Sequence, residues 1–137
     1  MNHFIIATHS TFAEGIYKAI EFFHHEMNHV TYINAYVETQ EFEKEFLELV
    51  DKLEGKNIIV CTDMMGGSVN QIVVKFIPNY QYHVVSGINL PLMLELVFKE
   101  ELLNAEKISI IVEKAKEQVV YINSMIEDEE LDDNQEL

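Results

Sequence analysis

Two residues in this chain have the types and positions for nucleophilic chemistry. His9 follows the apolar run Phe4-Ile5-Ile6-Ala7 and precedes Phe12, Ile16, Ala19, Ile20 and Phe23, which recur at helical spacing. Part of an imidazole is unprotonated near neutral pH, so it can act as a nucleophile. Placed where a strand hands over to a helix, it would face free backbone N–H groups and the positive end of a helix dipole. Such a setting suits phosphate. Asp63 holds the corresponding place after the apolar segment Asn57–Thr62, and Met64-Met65-Gly66-Gly67-Ser68 follows it. A carboxylate beside an imidazole accepts a hydrogen bond from one ring nitrogen, fixes the tautomer and leaves the other nitrogen free to attack. The glycine pair permits a tight turn and close approach of backbone to an anion. Ser68 is expected to cap the next helix and to offer its hydroxyl to phosphate oxygens. Together these types suggest a histidine that accepts and passes on a phosphoryl group. Spacing alone does not bring His9 to Asp63, because Gly-Gly-Ser before a helix and Asp after a strand are also ordinary turn chemistry.

The elements around these residues decide whether they meet. Four segments read as strands: Phe4–Thr8, Val30–Ala35, Asn57–Thr62 and Tyr82–Ser86. The first, third and fourth are rich in Ile and Val without clean polar alternation, as in parallel strands covered on both faces. The second is more mixed and suits a place nearer an edge. Helical patterns alternate with them. Thr11 with Glu14, and Ser68 with Gln71, have capping-box spacing. Asn89, with Pro91 in the first turn, opens a helix expected to reach about Glu101. A last helix starts near Asn104 with Ile108, Ile111, Ala115, Val119, Ile122 and Ile126 along one stripe. The alternation predicts a doubly wound α/β domain with a mainly parallel sheet and helices on both faces. A strand order of 2-1-3-4 would set the topological switch point between the first and third strands. Their carboxyl ends carry His9 and Asp63.

Composition narrows the function classes. The chain has 137 residues, enough for one domain with a sizeable core, and 48% are hydrophobic. The domain is expected over residues 1–126, with an acidic tail over 127–137 that holds seven acidic residues. A net charge of −15 without a compact basic patch argues against nucleic acid and anionic lipid as partners. No apolar stretch has the length of a membrane span and no signal-peptide pattern is present, so a cytoplasmic protein is expected. The single cysteine, Cys61, reads as a small core residue. His25 and His29 are four apart, but no third ligand lies nearby, and neither a metal nor a cofactor is expected. Met64 and Met65 suit either a soft contact surface for partners or packing at the crevice rim.

Three stretches together are more specific than any one: Ile5-Ile6-Ala7-Thr8-His9-Ser10 with Phe12-Ala13-Glu14-Gly15, Thr62 through Asn70, and Ser86-Gly87-Ile88-Asn89-Leu90-Pro91-Leu92. In order and over nearly the whole domain, the chain resembles the mannose/fructose/sorbose type of enzyme IIA of the phosphoenolpyruvate-dependent sugar phosphotransferase system. The resemblance implies that His9 is the phosphorylated histidine, reached through Nε2, and that Asp63 orients it. It places Ser10, Gly66, Gly67 and Ser68 around the phosphoryl group, with Gly87 and Asn89 in a third active-site loop. It further implies a doubly wound fold, often with an antiparallel edge strand, and a homodimer. The implied partners are phospho-HPr as donor and a separate enzyme IIB as acceptor, with membrane IIC and IID subunits downstream. Where the family commonly has an aromatic before the glycine pair and a proline after the serine, this chain has Met65 and Val69.

Other classes predict other residues. A receiver domain also has an aspartate after the third strand, but it needs an acidic pair after the first to bind magnesium, where this chain has Thr8-His9-Ser10. A regulatory module of the same fold, or the IIA-like phosphoryl donor subunit of a dihydroxyacetone kinase, are the nearer alternatives.

Overall fold

The computed structural model of the chain describes residues 1–127. Of the acidic tail expected over 127–137, all but Glu127 lies outside the described residues. The elements run β1 (Asn2–His9), α1 (Phe12–Phe23), β2 (Val30–Ala35), α2 (Phe42–Lys52), β3 (Asn57–Thr62), α3 (Ser68–Lys75), β4 (Tyr82–Ser86), α4 (Leu90–Val97) and α5 (Ala105–Lys116), with a further helical turn over 122–127. The strands form one sheet in the order β2-β1-β3-β4, and every pairing is parallel. This is the expected order, with β2 at an edge. Among the described residues there is no antiparallel edge strand.

Alternation along β1 builds two cores, one on each face of the sheet. Phe4 and Ile6 point into a core shared with α1, α4 and α5, which includes Ile16, Ile20, Met93, Leu96 and Ile111. Ile5 and Ala7 point into the other, with Phe42 and Phe46 of α2 and Val69 and Val73 of α3. β1 is therefore covered on both sides, which explains its unbroken apolar run. Cys61 is fully buried in the first core, and burial pushes its thiol up to about 12.

The helix borders depart from local spacing in instructive ways. The Thr11–Glu14 capping box does not form. Thr8 Oγ1 on β1 accepts from Ala13 N at 2.6 Å, and Asn34 on β2 accepts from Glu14 N at 3.1 Å. Neighbouring strand ends thus cap α1 and tie it to the sheet. α4 stops at Val97 and not near Glu101: Phe98 and Lys99 still bond back to its last turn, and the chain beyond is held by other elements. Asn2 donates to the Glu101 carbonyl and accepts from Leu103 N, while Asn57 donates to the Leu103 carbonyl. Asn89 and Asn104 do cap α4 and α5, accepting from Leu92 N and Lys107 N. The stripe of α5 is buried only through Ile108, Ile111 and Ala115; Val119, Ile122 and Ile126 are exposed.

Candidate functional site

The chain leaves β1 towards β2 on one side and leaves β3 towards β4 on the other, so a crevice opens between the carboxyl ends of β1 and β3. His9 is the last residue of β1, and Asp63 directly follows β3. They meet there. Asp63 Oδ2 accepts from His9 Nδ1 at 2.8 Å and from the His9 backbone N–H at 3.0 Å. Oδ1 accepts from Met64 N at 3.1 Å. Partial burial works against the charge on Asp63, but the two bonds from His9, the charge of His9 and a backbone bond of its own segment outweigh it. The carboxyl is held below its ordinary range, so it is ionised and can only accept. In the neutral imidazole the ring proton then sits on Nδ1, and Nε2 keeps its lone pair.

Ser68 does not cap α3. The cap residue is Gly67, Ser68 is the first helical residue, and its Oγ lies 3.0 Å from His9 Nε2. Gln71 donates instead to the Gly66 carbonyl. Among the described residues no side chain caps the first N–H groups of α3, and the start of this helix, at Gly67 and Ser68, lies beside the His9 ring. At α1 the corresponding Ala13 and Glu14 amides are taken by Thr8 and Asn34. The anion-favouring helix end expected beside His9 is therefore that of α3 rather than that of α1.

Both glycines have a reason. Gly66 has φ +81°, in the left-handed region. At Gly67 a Cβ would lie 3.0 Å from Met64 Cγ and 3.2 Å from His9 Cε1, so a side chain there would crowd the imidazole and Met64. Ser10 is exposed, has φ 54° and donates its backbone N–H to the Ala35 carbonyl. Asn89 lines a cleft of about 610 Å³ with His9, Ser10 and Phe12, but its Oδ1 is committed to the α4 cap. Gly87 donates its backbone N–H to the Thr62 carbonyl. Under the site, Thr62 Oγ1 is 2.9 Å from both Asn70 Oδ1 and Ser86 Oγ, a hydroxyl network that ties β3, α3 and β4 together.

One further residue at the site carries no motif in the sequence. Tyr36, just past β2, has φ 67°, donates from Oη to Ser68 Oγ at 3.1 Å and places its ring 5.9 Å from that of His9. The signal that points to it is an aromatic with a polar tip one residue beyond the edge strand paired with β1. His9 is 37% exposed and Asp63 15%, so the imidazole is reachable while its partner is sheltered. Met64, Met65 and Phe12 stand exposed on the same rim. Of the two histidines four apart, His29 is turned to the Val97 carbonyl and packs edge-on against Phe4.

A doubly wound domain with a carboxylate-oriented, accessible imidazole at its switch point belongs to the class that can do nucleophilic chemistry on an anion. The comparisons make the class specific. The profile of the phosphotransferase system fructose IIA component family matches residues 3–116, and the chain belongs to that family. A Klebsiella pneumoniae protein assigned as a phosphoenolpyruvate-dependent sugar phosphotransferase system permease is 32% identical, with 91% of this chain and 93% of that one covered and a TM-score of 0.80. The IIA protein associated with the fucose utilization operon of Streptococcus pneumoniae is 28% identical over 91% and 96% of the two chains, with a TM-score of 0.79. The mannose/sorbose-specific IIA subunit from Enterococcus faecalis shares the fold, with 15% identity, coverage of 88% and 93% and a TM-score of 0.75. No curated protein matches the chain. No helix among the described residues is long and apolar enough to cross a membrane.

Proposed function

We propose that this chain is a phosphohistidine carrier of a sugar phosphotransferase system, taking a phosphoryl group from phospho-HPr on His9 Nε2 and passing it to an enzyme IIB. The observation that carries this reading is the division of labour between the two ring nitrogens. Nδ1 is tied to Asp63, while Nε2 faces a hydroxyl and a helix N-terminus on the open side of the crevice.

The Nε2 lone pair forms a bond to phosphorus as the bond between phosphorus and the donor's imidazole nitrogen breaks, its electron pair returning to that nitrogen. The Nδ1 proton stays in place. The positive charge that develops on the His9 ring is matched by the Asp63 carboxylate. The phosphoryl oxygens are received by the Ser68 hydroxyl and the positive end of α3. Transfer onward reverses these steps on the acceptor's nucleophile. Little else is required beyond positioning and charge stabilisation. An exposed imidazole on a shallow rim suits two proteins that must cover the same atom in turn.

The test is intact-protein mass after incubation with phosphoenolpyruvate, enzyme I and HPr, beside His9→Ala. One acid-labile phosphoryl group on the wild type alone is the expected result. A wild type left unmodified by an active donor mixture rules the carrier function out, and a phosphorylated His9→Ala moves the acceptor to another residue.

A further inference from the structure

Tyr36 continues the chain from Ala35, the last residue of β2 and the register partner of His9. Along β2, Ile33 and Ala35 face the α2/α3 core, so a regular strand would turn the next side chain to the α1 face. The left-handed φ of 67° turns it back. The ring instead packs beside Phe42 on the α2/α3 face, where His9 also points. For a bulky residue this backbone conformation is an outlier that persists only when its surroundings enforce it, and such outliers cluster at functional sites.

The hydrogen bonds at the tip run in one direction. Ionised Asp63 is an acceptor, so Nδ1 donates to it and the neutral ring offers a bare Nε2. Ser68 must then spend its single hydrogen on Nε2, and its oxygen is left to accept from Tyr36 Oη. No other side-chain partner holds Ser68 Oγ among the described residues. Without the Tyr36 hydroxyl, the serine is free to take its other staggered rotamers, which aim away from Nε2.

We infer that Tyr36 is a positioning residue of this site. Through Ser68 it aims one hydroxyl hydrogen first at Nε2 and then, once that lone pair is bonded to phosphorus, at a phosphoryl oxygen. The Tyr36–Ser68 bond stays unchanged while the serine's hydrogen changes acceptor. The interaction with phosphate is made as the group arrives and not when the donor protein docks, so it acts on the transfer step more than on association. This role rests on the carrier function proposed above.

The test uses the full chain with Tyr36→Phe, which keeps the ring and removes only the O–H. Single-turnover transfer from phospho-HPr is expected to slow by about 3- to 10-fold, the effect of one neutral hydrogen bond, with the donor's KM unchanged. In a Ser68→Ala background the same substitution is expected to have no further effect. In the free chain, Tyr36→Phe and Ser68→Ala are both expected to move the 15N resonance of His9 Nε2 and leave that of Nδ1 in place. A wild-type transfer rate in Tyr36→Phe, or an equal slowing with and without Ser68, overturns the inference while leaving the carrier function intact. A wild-type chain that takes no phosphate overturns the carrier function instead. The nitrogen resonances then still decide the hydrogen-bond chain, and an unmoved Nε2 refutes it.

Discussion

Asp63 Oδ2 accepts two hydrogen bonds from one residue, the backbone N–H and the ring Nδ1–H of His9. The carboxylate therefore fixes the end of β1 and the tautomer of the imidazole with the same oxygen. Loss of the side chain releases both. Asp63→Ala is expected to slow phosphoryl transfer by about 10²–10⁴-fold, the scale for losing general acid–base or orienting help. Rapid-quench measurement of transfer from phospho-HPr checks this, and a wild-type rate would remove Asp63 from the mechanism.

Gly67 is crowded by the His9 ring itself. In Gly67→Ala the new methyl lies 3.0 Å from Met64 Cγ and 3.2 Å from His9 Cε1. The Met64 side chain can swing outward, since it is exposed, but the imidazole is held by Asp63. The expected outcome is a displaced ring, with transfer slowed by at least about tenfold and the unfolding midpoint little changed. Equal loss of stability and activity would point to a disrupted turn rather than a moved nucleophile.

The fold is legible in the sequence where burial forces composition. β1 and β3 lie inside the sheet, and their apolar runs mark them as parallel strands, which in turn brings His9 and Asp63 to one crevice. It is not legible where a tertiary partner replaces a local one. Thr11 has the spacing of a cap, yet Thr8 and Asn34, from two strands, take the α1 amides. Ser68 has the spacing of a cap too, but its hydroxyl is drawn to His9, distant in sequence. The periodicity of Val119, Ile122 and Ile126 continues that of α5 although these residues are exposed, because spacing records a stripe and not what covers it. Tyr36 was hidden for a different reason. Its left-handed backbone occurs without a glycine to announce it, and only that backbone puts its hydroxyl on Ser68.

Away from the site, His3 couples stability to pH. It is 7% exposed, its Nε2 lies 2.8 Å from Thr31 Oγ1, and burial first, then the charges of His29 and Lys56, push its pKa down to about 4. Unfolded, it titrates near 6.5. Between these values the unfolded chain binds more protons, so this contribution falls as pH drops through the window, by up to about 3 kcal/mol. Urea unfolding of the wild type and His3→Gln at pH 7 and pH 4.5 is expected to show the larger loss on acidification in the wild type. Parallel losses would clear His3 of the effect.

The most direct test of the central claim asks which ring nitrogen of His9 carries phosphate. Nitrogen-resolved NMR of the freshly phosphorylated, 15N-histidine-labelled chain reads this without mutation. With Nδ1 bound to Asp63 and Nε2 open towards Ser68 and α3, phosphate is expected on Nε2, with the Nδ1 proton retained. Phosphate on Nδ1, or on any residue other than His9, would contradict the account.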